Sequence, residues 1–252
     1  MNPTVIVTGA AGGIGTSVVN KLLAAGEHVT AVDRTADGLA ALVEACESSR
    51  LHTEVVDISS ESDVARCRDS VRSAGLHVTG LVNNAGIMHG AARLDDVPLE
   101  DWRHVIDVNL TGTFLCMRAF ADQLIEHCGA IVNVASVVGL IPGPMRGSYS
   151  PSKAAIVMLT KQAALEWAPH VRVNAVCPGL LLTPLSEPQY ADPEAAAGRA
   201  HSVPMKRIAE ISEIADAICY LLSQQASYIT GVALPVDGGL AISAAANMSV
   251  AQ

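Results

Sequence analysis

Short apolar runs rich in β-branched residues recur along the chain at residues 5–7, 29–32, 54–57, 81–83, 131–134, 171–176 and 232–236, and longer stretches with helical spacing separate them. Such alternation predicts a parallel sheet, because each parallel pair needs a long crossover. The runs are continuously apolar, as strands covered on both faces are, and right-handed crossovers then give an α/β, doubly wound fold. There is no internal repeat and no linker, so residues 1–252 read as one domain. Two segments stand outside the pattern. Residues of about 180–207 read as a mobile lid, and the small, weakly polar tail of about 240–252 as a segment that orders against a neighbouring subunit.

The first strand runs into Thr8-Gly9, followed by Gly12, Gly13, Ile14 and Gly15. Bare backbone lets a pyrophosphate approach closely, and the N–H groups of the next helix favour an anion. A tight strand-to-helix turn is the plainer alternative. Asp33 ends the second strand, where a carboxylate accepts hydrogen bonds from both hydroxyls of an adenosine ribose and repels a 2′-phosphate, which favours NAD over NADP. Arg34 argues the other way, since it can stack on adenine or meet a 2′-phosphate. Asn83, Asn84, Ala85 and Gly86 follow the fourth strand and read as the ribose side of a cofactor site, or as a turn that satisfies its own backbone.

Tyr149 and Lys153 stand four residues apart, on one face of a helix that Pro151 places in its first turn. A phenol has a pKa near 10, so it becomes a useful base near neutrality when a cation stabilises the phenolate. Lys153 is spaced to be that cation, and the helix N-terminus favours the same anion. The pair suits proton transfer to or from a carbonyl or alcohol oxygen.

Taken together, Thr8-Gly9-x-x-x-Gly13-x-Gly15, Asn83-Asn84-Ala85-Gly86, Asn109, Ser136, Tyr149-x-x-x-Lys153, Pro178-Gly179 with Thr183, and Asp237-Gly238-Gly239 resemble the short-chain dehydrogenase/reductase family in its classical form over nearly the whole chain. The resemblance implies a Rossmann sheet and a nicotinamide cofactor. It implies that Ser136 orients a substrate carbonyl beside Tyr149. Lys153 would hold the nicotinamide ribose. Asn109 would disturb its helix locally and hold a water that passes protons toward the lysine. Pro178, Gly179 and Thr183 would belong to the cofactor site, and Asp57 and Ile58 resemble the pair that flanks the adenine; an aspartate capping the next helix is the alternative for the former. Gly12 stands where NADP-using relatives often carry a basic residue.

The helix carrying Asn109 shows two apolar stripes, one of Leu110, Phe114, Met117, Ala121 and Leu124, the other of Val105, Val108, Leu115, Cys116 and Ala119. One stripe suffices against a sheet, so two predict a homo-oligomer, a tetramer or dimer. The net charge of −9 argues against nucleic acid or an anionic membrane as partner. The six cysteines lack metal-type spacing and read as buried thiols in a reducing, cytoplasmic compartment, with no metal. The N-terminus lacks a basic segment and reads as a strand, not a signal peptide.

For the substrate, Leu180, Leu181, Leu182, Pro184 and Leu185 predict one apolar wall, and Ile141, Pro142, Pro144 and Met145 the opposite one. Arg146 reads as a solvated rim residue, with a grip on a carboxylate as the alternative. The function read from all this is NAD-dependent interconversion of a small secondary alcohol and a ketone. The alternatives are an NADPH-dependent 3-ketoacyl thioester reductase, a cyclic diol dehydrogenase, and a nucleotide-sensing protein without turnover.

Overall fold

A computed structural model describes residues 2–246. Seven parallel strands form one sheet in the order β3-β2-β1-β4-β5-β6-β7. They span Asn2–Thr8 (β1), His28–Asp33 (β2), Leu51–Val55 (β3), Leu76–Asn83 (β4), Ala130–Val134 (β5), Arg172–Pro178 (β6) and Ala233–Val236 (β7). The order reverses at β1, so the chain works outward from the middle in both directions, and the carboxyl ends of β1 and β4 open a crevice there, where ligands bind in such sheets.

Successive residues of the central strands are buried on opposite faces. Val5 and Val7 pack with Val18, Leu22, Ile214 and Ile218 of α1 (Gly13–Ala24) and α8 (Ile211–Leu222). Ile6, between them, packs with Val64, Phe120 and Leu124 on the other side. Those three come from α3 (Glu61–Ser73) and α5 (Thr113–Glu126). The remaining helices are α2 (Ala36–Cys46), α4 (Leu99–Ile106), α6 (Tyr149–Trp167), α7 (Pro193–Ser202) and α9 (Leu240–Ala246). This two-sided burial is why the strands carry no polar alternation.

Three expectations change. The third strand lies at Leu51–Val55, not 54–57, because it pairs from Leu51 opposite Val29 and forms the sheet edge, where polar His52 and Thr53 cost little. Asp57 lies beyond its end. The helix around Asn109 is not continuous: between α4 and α5, residues Asp107–Gly112 widen into a π-helical segment. That shift in phase regroups the two stripes, so Met117 and Leu124 join Leu115, Cys116 and Phe120 in the core and only Phe114, 44% exposed, still faces outward. Of the cysteines, Cys128 is exposed in a left-handed turn after α5, whereas Cys67, Cys116 and Cys177 are buried. The tail ends in helix α9 as far as Ala246, and residues 247–252 lie outside the described residues. Among the described residues no helix is long and apolar enough to cross a membrane.

Candidate active site

A cavity of about 610 Å³ runs along the carboxyl ends of the strands, from Asp33 and Asp57 at one end to Ser136, Tyr149 and Tyr190 at the other. Gly9, Gly12, Gly13 and Ile14 form its floor. Gly9 has φ +63°, and a Cβ there would sit 2.8 Å from Ala85 Cα, so only glycine fits. Gly15 does not line the cavity; it lets the start of α1 pack against the loop, where a Cβ would sit 2.8 Å from Ala10 Cα.

Thr8 fastens the loop to the segment after β4. Its hydroxyl accepts from Asn84 N and Ala85 N, both at 3.1 Å, and donates to Val82 O at 3.3 Å. Ala85 and Gly86 line the cavity, but Asn83 does not. Asn83 is buried in the sheet, where its Nδ2 donates to Asn133 Oδ1 at 2.8 Å, because residues alternate across a strand and its neighbour Asn84 takes the cavity side. Asn84 Nδ2 donates to Thr8 O and Gly9 O, both at 3.0 Å. Nothing in the Asn-Asn repeat marked which of the two would turn inward.

At the opposite end, Asp33 Oδ2 accepts from Ala11 N at 3.1 Å, and Oδ1 accepts from Thr35 N at 3.1 Å and Thr35 Oγ1 at 2.8 Å. Two backbone groups and a hydroxyl therefore fix the carboxylate beside the glycine loop. Arg34, Asp57 and Ile58 line the same end. Asp57 also accepts from Ser59 N at 2.9 Å and Ser59 Oγ at 2.6 Å, whereas the cap of α3 is Ser60, accepting from Asp63 N at 3.3 Å.

α6 begins at Tyr149 with Pro151 in its first turn. Lys153, one turn on, is buried, and its Nζ donates to Val134 O at 2.8 Å and lies 5.7 Å from the Tyr149 ring centroid. Burial lowers the ammonium pKa to about 8, because a charge is costly away from water. Burial likewise raises the Tyr149 phenol, opposed by a hydrogen bond with the Ser136 side chain and by the charge of Arg146. Ser136 Oγ also accepts from Val138 N at 3.3 Å.

Asn109 lies in the π segment, buried. Its Oδ1 accepts from Ile87 N at 2.8 Å, and its Nδ2 donates to Ile87 O and Ser152 Oγ, both at 3.0 Å. A Cβ on Gly86 would come within 3.2 Å of Asn109 Oδ1 and 3.3 Å of Lys153 Nζ, so this glycine lies directly over both side chains. Pro178 at the end of β6, with Gly179 and Thr183 beyond it, lines the cavity, and a Cβ on Gly179 would meet Asp237 Cα at 2.6 Å.

The far wall differs from expectation. Ile141, Pro142, Pro144 and Met145 line not this cavity but an adjoining one, which shares Val138 and Arg146 with it. Val138, Met88, Arg146 and Tyr190 take that place. Leu180, Leu181, Pro184 and Leu185 do line the main cavity, but Leu182 does not. Arg146 is half-buried with Nη1 3.4 Å from Met88 Sδ, not a solvated rim residue. Tyr190 carries no periodic signal in the sequence that would place it here.

A family model described as enoyl-(acyl carrier protein) reductase matches residues 9–241. An uncharacterized short-chain type dehydrogenase/reductase of Sinorhizobium fredii is 41% identical over 93% of this chain, which spans 43% of that protein's length. The 3beta-hydroxysteroid dehydrogenase 1 of Eggerthella lenta is 38% identical over 95% of this chain and 94% of its own. Among solved structures, 3-ketoacyl-(acyl-carrier-protein) reductase from Brucella melitensis, complexed with NADH, has a TM-score of 0.88 and 33% identity, covering 95% of this chain and 98% of that one. The chain belongs to the classical short-chain dehydrogenase/reductase family. It is an oxidoreductase of the kind that acts on CH–OH groups with a nicotinamide cofactor.

Proposed function

We propose that the protein interconverts a secondary alcohol and a ketone with NAD(H), using Tyr149 as general acid and base. The observation that carries the reading is the convergence of Tyr149, Ser136 and Lys153 on one cavity whose other end is formed by the fixed Asp33 carboxylate.

The cavity suits a dinucleotide. Gly9 admits no Cβ, Gly12 and Gly13 present bare backbone at the start of α1, and Asp33 is held where it would accept ribose hydroxyls. Gly9, Gly12, Gly13, Ile14, Asp33, Arg34, Asp57, Ile58, Ala85, Gly86, Pro178, Gly179 and Thr183 would hold it, with Tyr149 and Lys153 at the nicotinamide end. When bound, the nicotinamide supplies or accepts the hydride at the carbinol carbon.

The side chains handle the proton. In reduction the Tyr149 hydroxyl gives its proton to the carbonyl oxygen, and in oxidation the phenolate takes it from the alcohol. Ser136 donates a hydrogen bond to the same oxygen and fixes its position. Lys153 stabilises the phenolate by its charge, and Asn109, which reaches from the π segment to Ser152 of α6 and lies with Lys153 beneath Gly86, supports the route by which the proton reaches solvent.

The segment 180–207, which includes α7, serves in this reading as a lid, since it supplies Leu181, Pro184 and Tyr190 to the cavity. A homo-oligomer is part of the proposal, tetramer or dimer. Met158, 62% exposed, and Leu165, 78% exposed, stand seven residues apart on one face of α6, and Phe114 is exposed on α5. Six free cysteines agree with a reducing, cytoplasmic setting.

Titration with NADH and with NADPH, followed by nicotinamide fluorescence and by turnover of an alcohol and ketone panel, tests the reading. Tighter NADH binding with oxidation of secondary alcohols is expected. Tighter NADPH binding would mean that Arg34, at the same end of the cavity, overrides Asp33, and would favour a 3-ketoacyl thioester reductase.

A further inference from the structure

The end of the cavity beyond Tyr149 is built around positive charge, although the chain as a whole carries −9. Arg146 lines the cavity, half-buried, and its main-chain carbonyl accepts from Tyr149 N at 2.9 Å, so its backbone is fixed to the start of α6. Tyr190 lines the same wall, and Arg199 of α7 places its guanidinium carbon 5.8 Å from the Tyr190 ring centroid. Burial raises the Tyr190 phenol, and the charges of Arg199 and Arg146 oppose that rise. They also act on each other: burial first, and then the like charge of Arg199, lowers the pKa of Arg146. Among the described residues, the carboxylates lining the cavity, Asp33 and Asp57, are both at the opposite end.

Arg146 is a half-buried guanidinium in the cavity wall, and Arg199 adds a second positive charge against the Tyr190 ring of the same wall, so an anion bound there is attracted by both. Arginine's planar fork suits a carboxylate or sulfonate, whose oxygens it can meet in pairs. We propose that Arg146, with Arg199, forms an anion-binding subsite of the substrate pocket, so that the preferred substrate is a small secondary alcohol or ketone carrying a carboxylate or sulfonate a few atoms from the reacting carbon. The inference rests on the oxidoreductase reading above and names its substrate class. It replaces the wholly apolar pocket expected from residues 141–145, which line a different cavity.

The test compares matched substrates: 3-hydroxybutyrate, 4-hydroxypentanoate, 5-hydroxyhexanoate and a hydroxyalkyl sulfonate, each against its methyl ester or, for the sulfonate, its sulfonamide. The quantity read is the ratio of kcat/KM for the anion to that for its neutral partner, which is insensitive to how much of a variant is folded. One chain length is expected to favour the anion by about 10- to 100-fold, the worth of a charge-assisted hydrogen bond. Arg146→Gln should collapse that ratio, chiefly through KM, Arg146→Lys should restore part of it, and Arg199→Gln should reduce it less. The carboxylate and sulfonate arms show which head group the pair takes.

Equal use of acid and ester, or a ratio that Arg146→Gln leaves unmoved, would overturn the proposal. Turnover of neutral cyclic alcohols without turnover of any anionic one would overturn it while leaving the oxidoreductase reading intact. A protein that binds the dinucleotide yet oxidises no alcohol of either kind would overturn both.

Discussion

Lys153 Nζ lies 5.7 Å from the centroid of the Tyr149 ring while donating to Val134 O at 2.8 Å, so the end of β5 holds the cation over the ring that stands one helical turn away. The sheet, not the helix alone, sets this geometry. The first expected outcome concerns the phenol. Tyr149→Phe should lower turnover by about 10²- to 10⁴-fold, the worth of a general acid or base, while dinucleotide affinity measured by fluorescence stays within a few-fold.

Lys153 also makes stability depend on pH. Its folded pKa is about 8 against an ordinary 10.5, so between these values the unfolded chain binds more protons than the folded one, and stability rises as pH climbs through that window. Below pH 8 the full cost of burying the ammonium is present, on the order of 3 kcal/mol. Urea denaturation of the wild type and of Lys153→Met from pH 7 to pH 10.5 should show the difference between them shifting in favour of the wild type as pH rises. Parallel curves would remove this account.

Asp33 should decide the cofactor. Replacing it with Asn removes the charge that opposes a 2′-phosphate, and NADH affinity should fall by about 10- to 100-fold while NADPH affinity rises. Competitive fluorescence titration measures both, and Arg34→Ala in the same background should reverse the gain for NADPH.

Asn109→Ala withdraws the partner of both Ile87 N and Ile87 O and one bond to Ser152. The expected loss is about 2–4 kcal/mol, seen as a lower Tm, since each orphaned group costs about 1–3 kcal/mol. A lower kcat in the fraction that remains folded should accompany it.

Assembly can be checked at Met158 and Leu165. The double change Met158→Glu, Leu165→Glu places two charges on the exposed face of α6, and sedimentation should show a smaller species than the wild type.

Periodicity made much of the molecule readable from the chain. Tyr149 and Lys153 share a helix face because i and i+4 always do, and the apolar runs reveal strands because both sheet faces are covered. Contacts made across long sequence separations were not readable. The partners of Asn109, Ile87 and Ser152, lie 22 and 43 residues away, and no local pattern encodes them. The same holds for loop direction: residues 141–145 are apolar enough for a pocket wall, yet whether the loop turns toward the cavity depends on packing around Val138 and Gly139. A Cβ on Gly139 would stand 2.7 Å from the Lys153 carbonyl, so the loop is pressed against α6 before it departs. The edge strand is hidden for a related reason, since Leu51–Val55 owes its position to pairing with β2 more than to its own hydrophobicity.

The π-helical segment Asp107–Gly112 carries one residue more than a regular helix would need over the same length. Excising a single residue there would make a smoother helix and a worse protein. Each residue advances an α-helix by about 100°, so the deletion would turn α5 about its axis and swing Phe120 and Leu124 off the sheet while sliding Asn109 out of reach of Ile87. The irregular turn therefore acts as a phase coupling between the core and the active centre, and its length is fixed from both sides.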